Sequence, residues 1–253
     1  MNTWLIKRRQ AKFRITILWS TKLWIVPALA FIFSAPPVSA SLLGEALSNS
    51  ELQYEVGDEK VWKVLPPEKL HTDPQTQYYY RHADYQVFEV ERNGKYKVRS
   101  ELRQFPEWSV SGWRQMDANV RLLETELDEV TWMQLHRKSK GSVTPPLRLT
   151  LDRRREHNGG VYEDYLFAVI YHKKSGYKRV PLGPRPEGDF RATIRVNNYQ
   201  VMIGLDGALV HVENVSDWEK YKCYFKVGLY ASGGDADYGE ARMGLKQLTY
   251  ESQ

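Results

Sequence analysis

The stretch FRATIRVNNYQVMIGLDGALVHVE, residues 190–213, decides the fold. It holds three short runs rich in β-branched and apolar residues, 190–197, 200–205 and 208–213, and Asp206-Gly207 separates the last two. Runs of this length bounded by turn residues are strands, and Asp-Gly between two of them is a strong hairpin signal. Asn93-Gly94 and Asn158-Gly159 stand between β-rich runs in the same way. Working outward, further strands are expected at 85–92, 95–105, 116–123, 130–137, 147–153, 165–172, 224–230 and 245–250. No stretch has a convincing helical period, and residues 41–75 carry few periodic signals. Eleven strands at this spacing predict one all-β domain, a sandwich of two stacked antiparallel sheets.

The N-terminus reads differently. Lys7, Arg8, Arg9, Lys12, Arg14 and Lys22 precede an apolar run from Leu23 to Phe33 and a small-residue stretch ending Val38, Ser39, Ala40. That is the layout of a cleavable secretory signal, and the apolar run is shorter than the roughly 20 residues a bilayer span needs. The expectation is a leader over 1–40, a mature domain over 41–253, and a secreted or periplasmic protein without a stable membrane anchor. Removing the six basic residues leaves 30 Lys and Arg against 31 Asp and Glu. A near-neutral mature chain without a recognition motif argues against nucleic acid as a partner, so any polyanion site must come from local placement of charge. The single cysteine, Cys223, excludes an intramolecular disulfide, and no His or Cys spacing suggests zinc. No metal or cofactor is expected, and the protein is expected to be a monomer.

Three strands place polar side chains together on one face. In the first, Lys95, Lys97, Arg99, Glu101 and Arg103 oppose Tyr96, Val98, Ser100 and Leu102. This row is either a floor for a polycarboxylate, with Arg binding carboxylate bidentately, or a solvated outer face laced by ion pairs. In the second, Trp132, Gln134 and His136 oppose Thr131, Met133 and Leu135. Gln can donate to a carboxylate and His can act as a general base near neutral pH, although a hydrogen-bonded surface pair is equally an outcome. In the third, Tyr224, Lys226, Gly228 and Tyr230 oppose Cys223, Phe225, Val227 and Leu229. Gly228 lets a ligand or a backbone approach closely, and Tyr230 is a candidate proton donor or an ordinary sheet aromatic.

RSELR at 99–103, QLH at 134–136 and YFKVGLY at 224–230 resemble, in order and separation, the three signature segments of polysaccharide lyase family 7. The resemblance runs from about residue 60 to the C-terminus. It implies a β-jelly roll whose concave groove cleaves alginate, an acidic polysaccharide of mannuronate and guluronate, by β-elimination. It also implies roles: Arg99 or Arg103 with Gln134 neutralises the sugar carboxylate, His136 abstracts the C5 proton, and Tyr230 protonates the leaving oxygen. On mannuronate Tyr230 is a candidate for both proton transfers. Lys97, Glu101, Arg103, Tyr224 and Lys226 would contact substrate. Two departures from the family pattern are Leu135, where Ile or Val is usual, and Ala231-Ser232 after the tyrosine. The first falls at the family position associated with mannuronate or guluronate preference and leaves that preference open, and the second keeps another polyuronate, such as glucuronan, in view.

Two rival readings remain. Glu126-Leu127-Asp128 resembles the start of a β-glucanase carboxylate motif, but Val130 stands where the next same-face carboxylate is needed. A non-catalytic carbohydrate binder would use Trp108, Trp113, Trp132 or Trp218 as stacking platforms. Gly233, Gly234, Asp235 and Asp237 suggest a plain loop, and 138–146 is a candidate lid.

Overall fold

The computed structural model describes residues 43–56, 61–94, 96–123, 125–139, 144–231 and 238–253. The expected leader, Lys95, and the loop carrying Asp235 and Asp237 lie outside them. The strands in chain order are β1 Ser50–Val56, β2 Val61–Leu65, β3 Tyr79–His82, β4 Tyr85–Asn93, β5 Val98–Gln104, β6 Trp108–Ser109, β7 Arg114–Leu122 and β8 Glu129–Arg137. There follow β9 Leu147–His157, β10 Gly160–His172, β11 Gly176–Pro184, β12 Phe190–Asn197, β13 Gln200–Leu205, β14 Ala208–Asn214, β15 Lys222–Ala231 and β16 Tyr238–Ser252. Among the described residues, helix is confined to short turns at Gly44–Asn49, Pro67–Leu70 and Ser216–Trp218.

Two antiparallel sheets stack face to face. The first runs β11-β10-β9-β8-β15-β5-β1-β2, with β6 also paired to β15, and the second runs β14-β13-β12-β7-β16-β4-β3. The chain passes repeatedly from one sheet to the other, as a jelly roll requires. Alternation builds the core between them: Leu166, Ala168 and Ile170 of β10 and Ala192, Ile194 and Val196 of β12 all point inward. At ~1.5–3 kcal/mol per large buried side chain, a core of this extent holds the domain without a disulfide. Cys223 is itself buried, and burial pushes its thiol up to about 12.

Asp206-Gly207 and Asn158-Gly159 make the expected two-residue hairpins, each with positive φ at both positions. Asn93-Gly94 does not make one. Strand β4 is already flanked by β3 and β16, so no edge is left for β5, which crosses to the other sheet. The strand expected at 95–105 starts at Val98. Residues 41–75 also carry more structure than their sequence suggested, since β1 and β2 complete one side of the first sheet.

The largest departure from simple alternation lies in β8. Its register shifts between Thr131 and Met133 against both neighbours, β9 and β15. The extra residue of a bulge turns one side chain over. Trp132 therefore joins Met133 in the core, edge-on to Phe190 of β12 with ring centroids 5.6 Å apart. Thr131 shares the outer face with Glu129, both accepting hydrogen bonds from Arg148 Nη1. The expected pairing of Trp132 with Gln134 and His136 is thus corrected.

Candidate active site

The outer face of the first sheet holds a pocket of about 300 Å³ lined by Gln53, Trp62, Lys97, Arg99, Gln134, His136, Pro145, Tyr224, Lys226 and Tyr230. Three adjacent strands supply its centre, because β15 lies between β5 and β8. Across them Tyr230 is opposite Arg99, Lys226 is opposite both Arg103 and Gln134, and Tyr224 is opposite His136. Residues 88 to 131 positions apart in sequence thus meet at strand spacing, ~4.8 Å.

These side chains are not a solvated outer face. Glu101 is 1% exposed, Lys226 2% and Arg99 18%. Glu101 is the hub beneath the pocket: it accepts hydrogen bonds from Gln134 Nε2 and, at 2.8 Å, from Lys226 Nζ, and Arg99 Nη1 lies 3.6 Å away. Burial alone would raise its carboxyl, but Lys226 and Arg99 outweigh burial and hold it below the usual carboxylate range. Burial draws Lys226 down from the ordinary lysine value, and its contact with Glu101 opposes that shift. Glu101 does not line the pocket, and its charge orients Gln134 and Lys226 from below. The Gln134 amide keeps a second N–H for a substrate carboxylate.

His136 stacks on Tyr224, rings 5.2 Å apart and 20° from parallel. Its Nδ1 is 3.0 Å from the carbonyl oxygen of Arg137. A carbonyl only accepts, so Nδ1 carries the proton and Nε2 keeps a lone pair. Burial first, then the charge of Lys226, lowers the imidazole pKa to about 4. The ring is therefore neutral near pH 7 and able to take a proton.

Of the two arginines proposed for the carboxylate, only Arg99 lines the pocket. Arg103 lies over the Tyr224 ring at 4.1 Å and bonds Glu107 at 2.5 Å, with Glu51 at 3.7 Å, so it braces the wall. Lys97, exposed just before β5, stands at the pocket edge. Gly228 has φ +130, and a Cβ there would lie 2.3 Å from the Ser100 carbonyl oxygen. The close approach is therefore made by the backbone of β5.

Sequence reasoning missed Gln53, Glu55, Trp62 and Pro145. A signal existed: in SELQYEV, residues 50–56, Glu51, Gln53 and Glu55 alternate with buried Leu52 and Tyr54. Also missed was a charge network farther along the same sheet. There Glu129 and Asp152 are held by Arg148, Arg155 and Arg179 at 2.6–3.1 Å. Of the four proposed tryptophan platforms, Trp108, Trp132 and Trp218 are buried, and the half-buried Trp113 does not line the pocket. Glu126 and Asp128 are exposed outside the pocket, Asp128 paired with Arg153 at 2.8 Å. Among the described residues, no three His, Cys, Asp or Glu are grouped to share a metal ion.

The alginate lyase family model matches residues 47–251, and the chain belongs to that family. No curated protein matches it. Solved structures share the fold. Alginate lyase AlyC3 superposes with TM-score 0.70 at 20% identity, covering 82% of this chain and 91% of that one. Alginate lyase A1-II′, a member of polysaccharide lyase family 7, gives 0.67 at 18% identity, covering 82% and 96%. Alginate lyase PA1167 from Pseudomonas aeruginosa gives 0.64 at 20% identity, covering 82% and 99%.

Proposed function

We propose that this alginate lyase performs β-elimination in the pocket bounded by Arg99, Gln134, His136 and Tyr230. A proton α to a carboxylate is too weakly acidic for His unless the carboxylate charge is offset, because abstraction adds negative charge to it. Arg99 and the free N–H of Gln134 offset that charge more strongly in the enolate-like state than in the ground state. His136 Nε2 takes the C5 proton, and the electron pair forms the C4=C5 double bond. The C4–O bond breaks as that double bond forms, and Tyr230 protonates the departing oxygen. The observation that carries the assignment is the convergence of a neutral His136 and a cationic Arg99 on one pocket with Tyr230. Structures described as AlyC3 with dimannuronate and A1-II′ with the product GGG support uronate oligomers as ligands of this fold.

The test is the ultraviolet absorbance of the unsaturated uronate, followed with polymannuronate, polyguluronate and glucuronan. A rise on an alginate polymer, lost in both His136→Ala and Tyr230→Phe, is expected. A rise that survives both substitutions would remove these residues from the chemistry. Leu135, the family position tied to substrate preference, is fully buried, so any influence on preference passes through core packing. We also propose that residues 1–40 are a cleaved leader directing the enzyme out of the cytoplasm, supported by the six basic residues before the apolar run. The mature enzyme would act as a monomer, since one chain supplies every group in the pocket.

A further inference from the structure

We infer that the β1–β2 hairpin positions the catalytic guanidinium, with Trp62 and Glu55 fixing the plane in which Arg99 meets the substrate carboxylate. This rests on the reading of Arg99 given above. Arg99 Cζ lies 4.7 Å from the centroid of the Trp62 ring and 4.8 Å from that of Tyr230, so two aromatic side chains flank one guanidinium. Its Nε donates to Glu55 Oε1 at 3.3 Å. With Nε engaged by Glu55, and Nη1 no closer than 3.6 Å to Glu101, the edge formed by the two terminal nitrogens is the one to meet a bidentate carboxylate.

One short hairpin delivers both partners. Glu55 and Trp62 are directly opposite each other in the β1–β2 pairing, and β1 is hydrogen-bonded along β5. Neither residue is placed as stability alone would place it. Trp62 is 46% exposed on an edge strand, where an apolar ring gains little from burial. The second Glu55 oxygen, Oε2, is buried with no hydrogen-bond partner, an arrangement that costs desolvation. Both placements make sense if the task is to hold a long, four-torsion side chain in one orientation beside Tyr230. A guanidinium free to swing would bind a carboxylate in many poses, few of them correct for elimination.

The test is a double-mutant cycle on kcat/KM for polymannuronate. It is paired with calorimetric Kd values for a mannuronate tetramer in the inactive Tyr230→Phe background, which keeps the ring beside Arg99 and lets binding be read without turnover. Trp62→Ala should lower kcat/KM about ten-fold, the scale of a partly desolvated cation–π contact, and Trp62→Phe should restore most of it. Glu55→Gln should give a smaller loss. The deciding result is coupling: in an Arg99→Ala background, Trp62→Ala should cost nothing further in either measurement. An equal loss with and without Arg99 would mean that Trp62 touches the sugar directly and would overturn the inference. If Arg99→Ala itself leaves kcat/KM and Kd unchanged, the role of Arg99 fails first, and the inference with it. Near-ultraviolet circular dichroism of each variant separates these outcomes from loss of fold.

Discussion

His136 shows how position sets chemistry at a single residue. Its hydrogen bond to the Arg137 carbonyl selects the tautomer, and burial beside Lys226 lowers its pKa to about 4. A base must be unprotonated to act, so activity that depends on His136 is present above the folded pKa and lost as pH falls through it. The acid limb of kcat/KM, which reports the free enzyme, should therefore fall well below pH 6.5, with little change between about pH 7 and 5. A pH series at low substrate concentration checks this, and a limb centred near 6.5 would show that His136 is solvated. Glu101 makes the complementary point: it stood in a row of cations as a possible substrate contact, and the structure places it underneath as the common anchor of Lys226, Gln134 and Arg99.

Strands β8 and β15 both abandon regular pairing at the same level. Their register skips from Val227 to Tyr230 on one side and from Met133 to Thr131 on the other. This sends Trp132 inward while Gln134, His136, Lys226 and Tyr230 stay on the pocket side. Gly228 is the pivot, since any side chain there would collide with Ser100 and Glu101 of β5 and would sit at φ +130. Gly228→Ala should destabilise the domain by ~3 kcal/mol or more, combining backbone strain with overpacking. Urea unfolding would measure the loss, and a midpoint within error of the parent would mean that β15 can move away from β5 without penalty.

For the molecule as a whole, net charge is a poor guide to the ligand. With residues 1–40 removed the chain holds 30 basic and 31 acidic side chains, yet Lys97, Arg99 and Lys226 converge on one pocket while Glu101 and Glu55 hold Arg99 and Lys226. A polyanion is met by local field rather than by overall charge. Expressing the full chain in a secretion-competent bacterial host tests the leader: mature protein outside the cytoplasm should begin near Ser41 by N-terminal sequencing. Intact Met1 on exported protein would count against cleavage.

Period-two alternation with Asp-Gly and Asn-Gly turns was enough to read the sandwich from sequence, and three short motifs in order named Arg99, Gln134, His136 and Tyr230, which the structure gathers in one pocket. These are local properties, set by which way each side chain leaves a strand. What only the tertiary structure decided is which strands become neighbours and where their pairing breaks. Glu55 and Arg99 are 44 residues apart and meet because β1 docks on β5. Trp132 faces the core because a bulge interrupts β8, and Asn93-Gly94 leads between sheets because β4 has no free edge. Alternation assigns a residue to a face, but the packing of distant strands determines what that face meets.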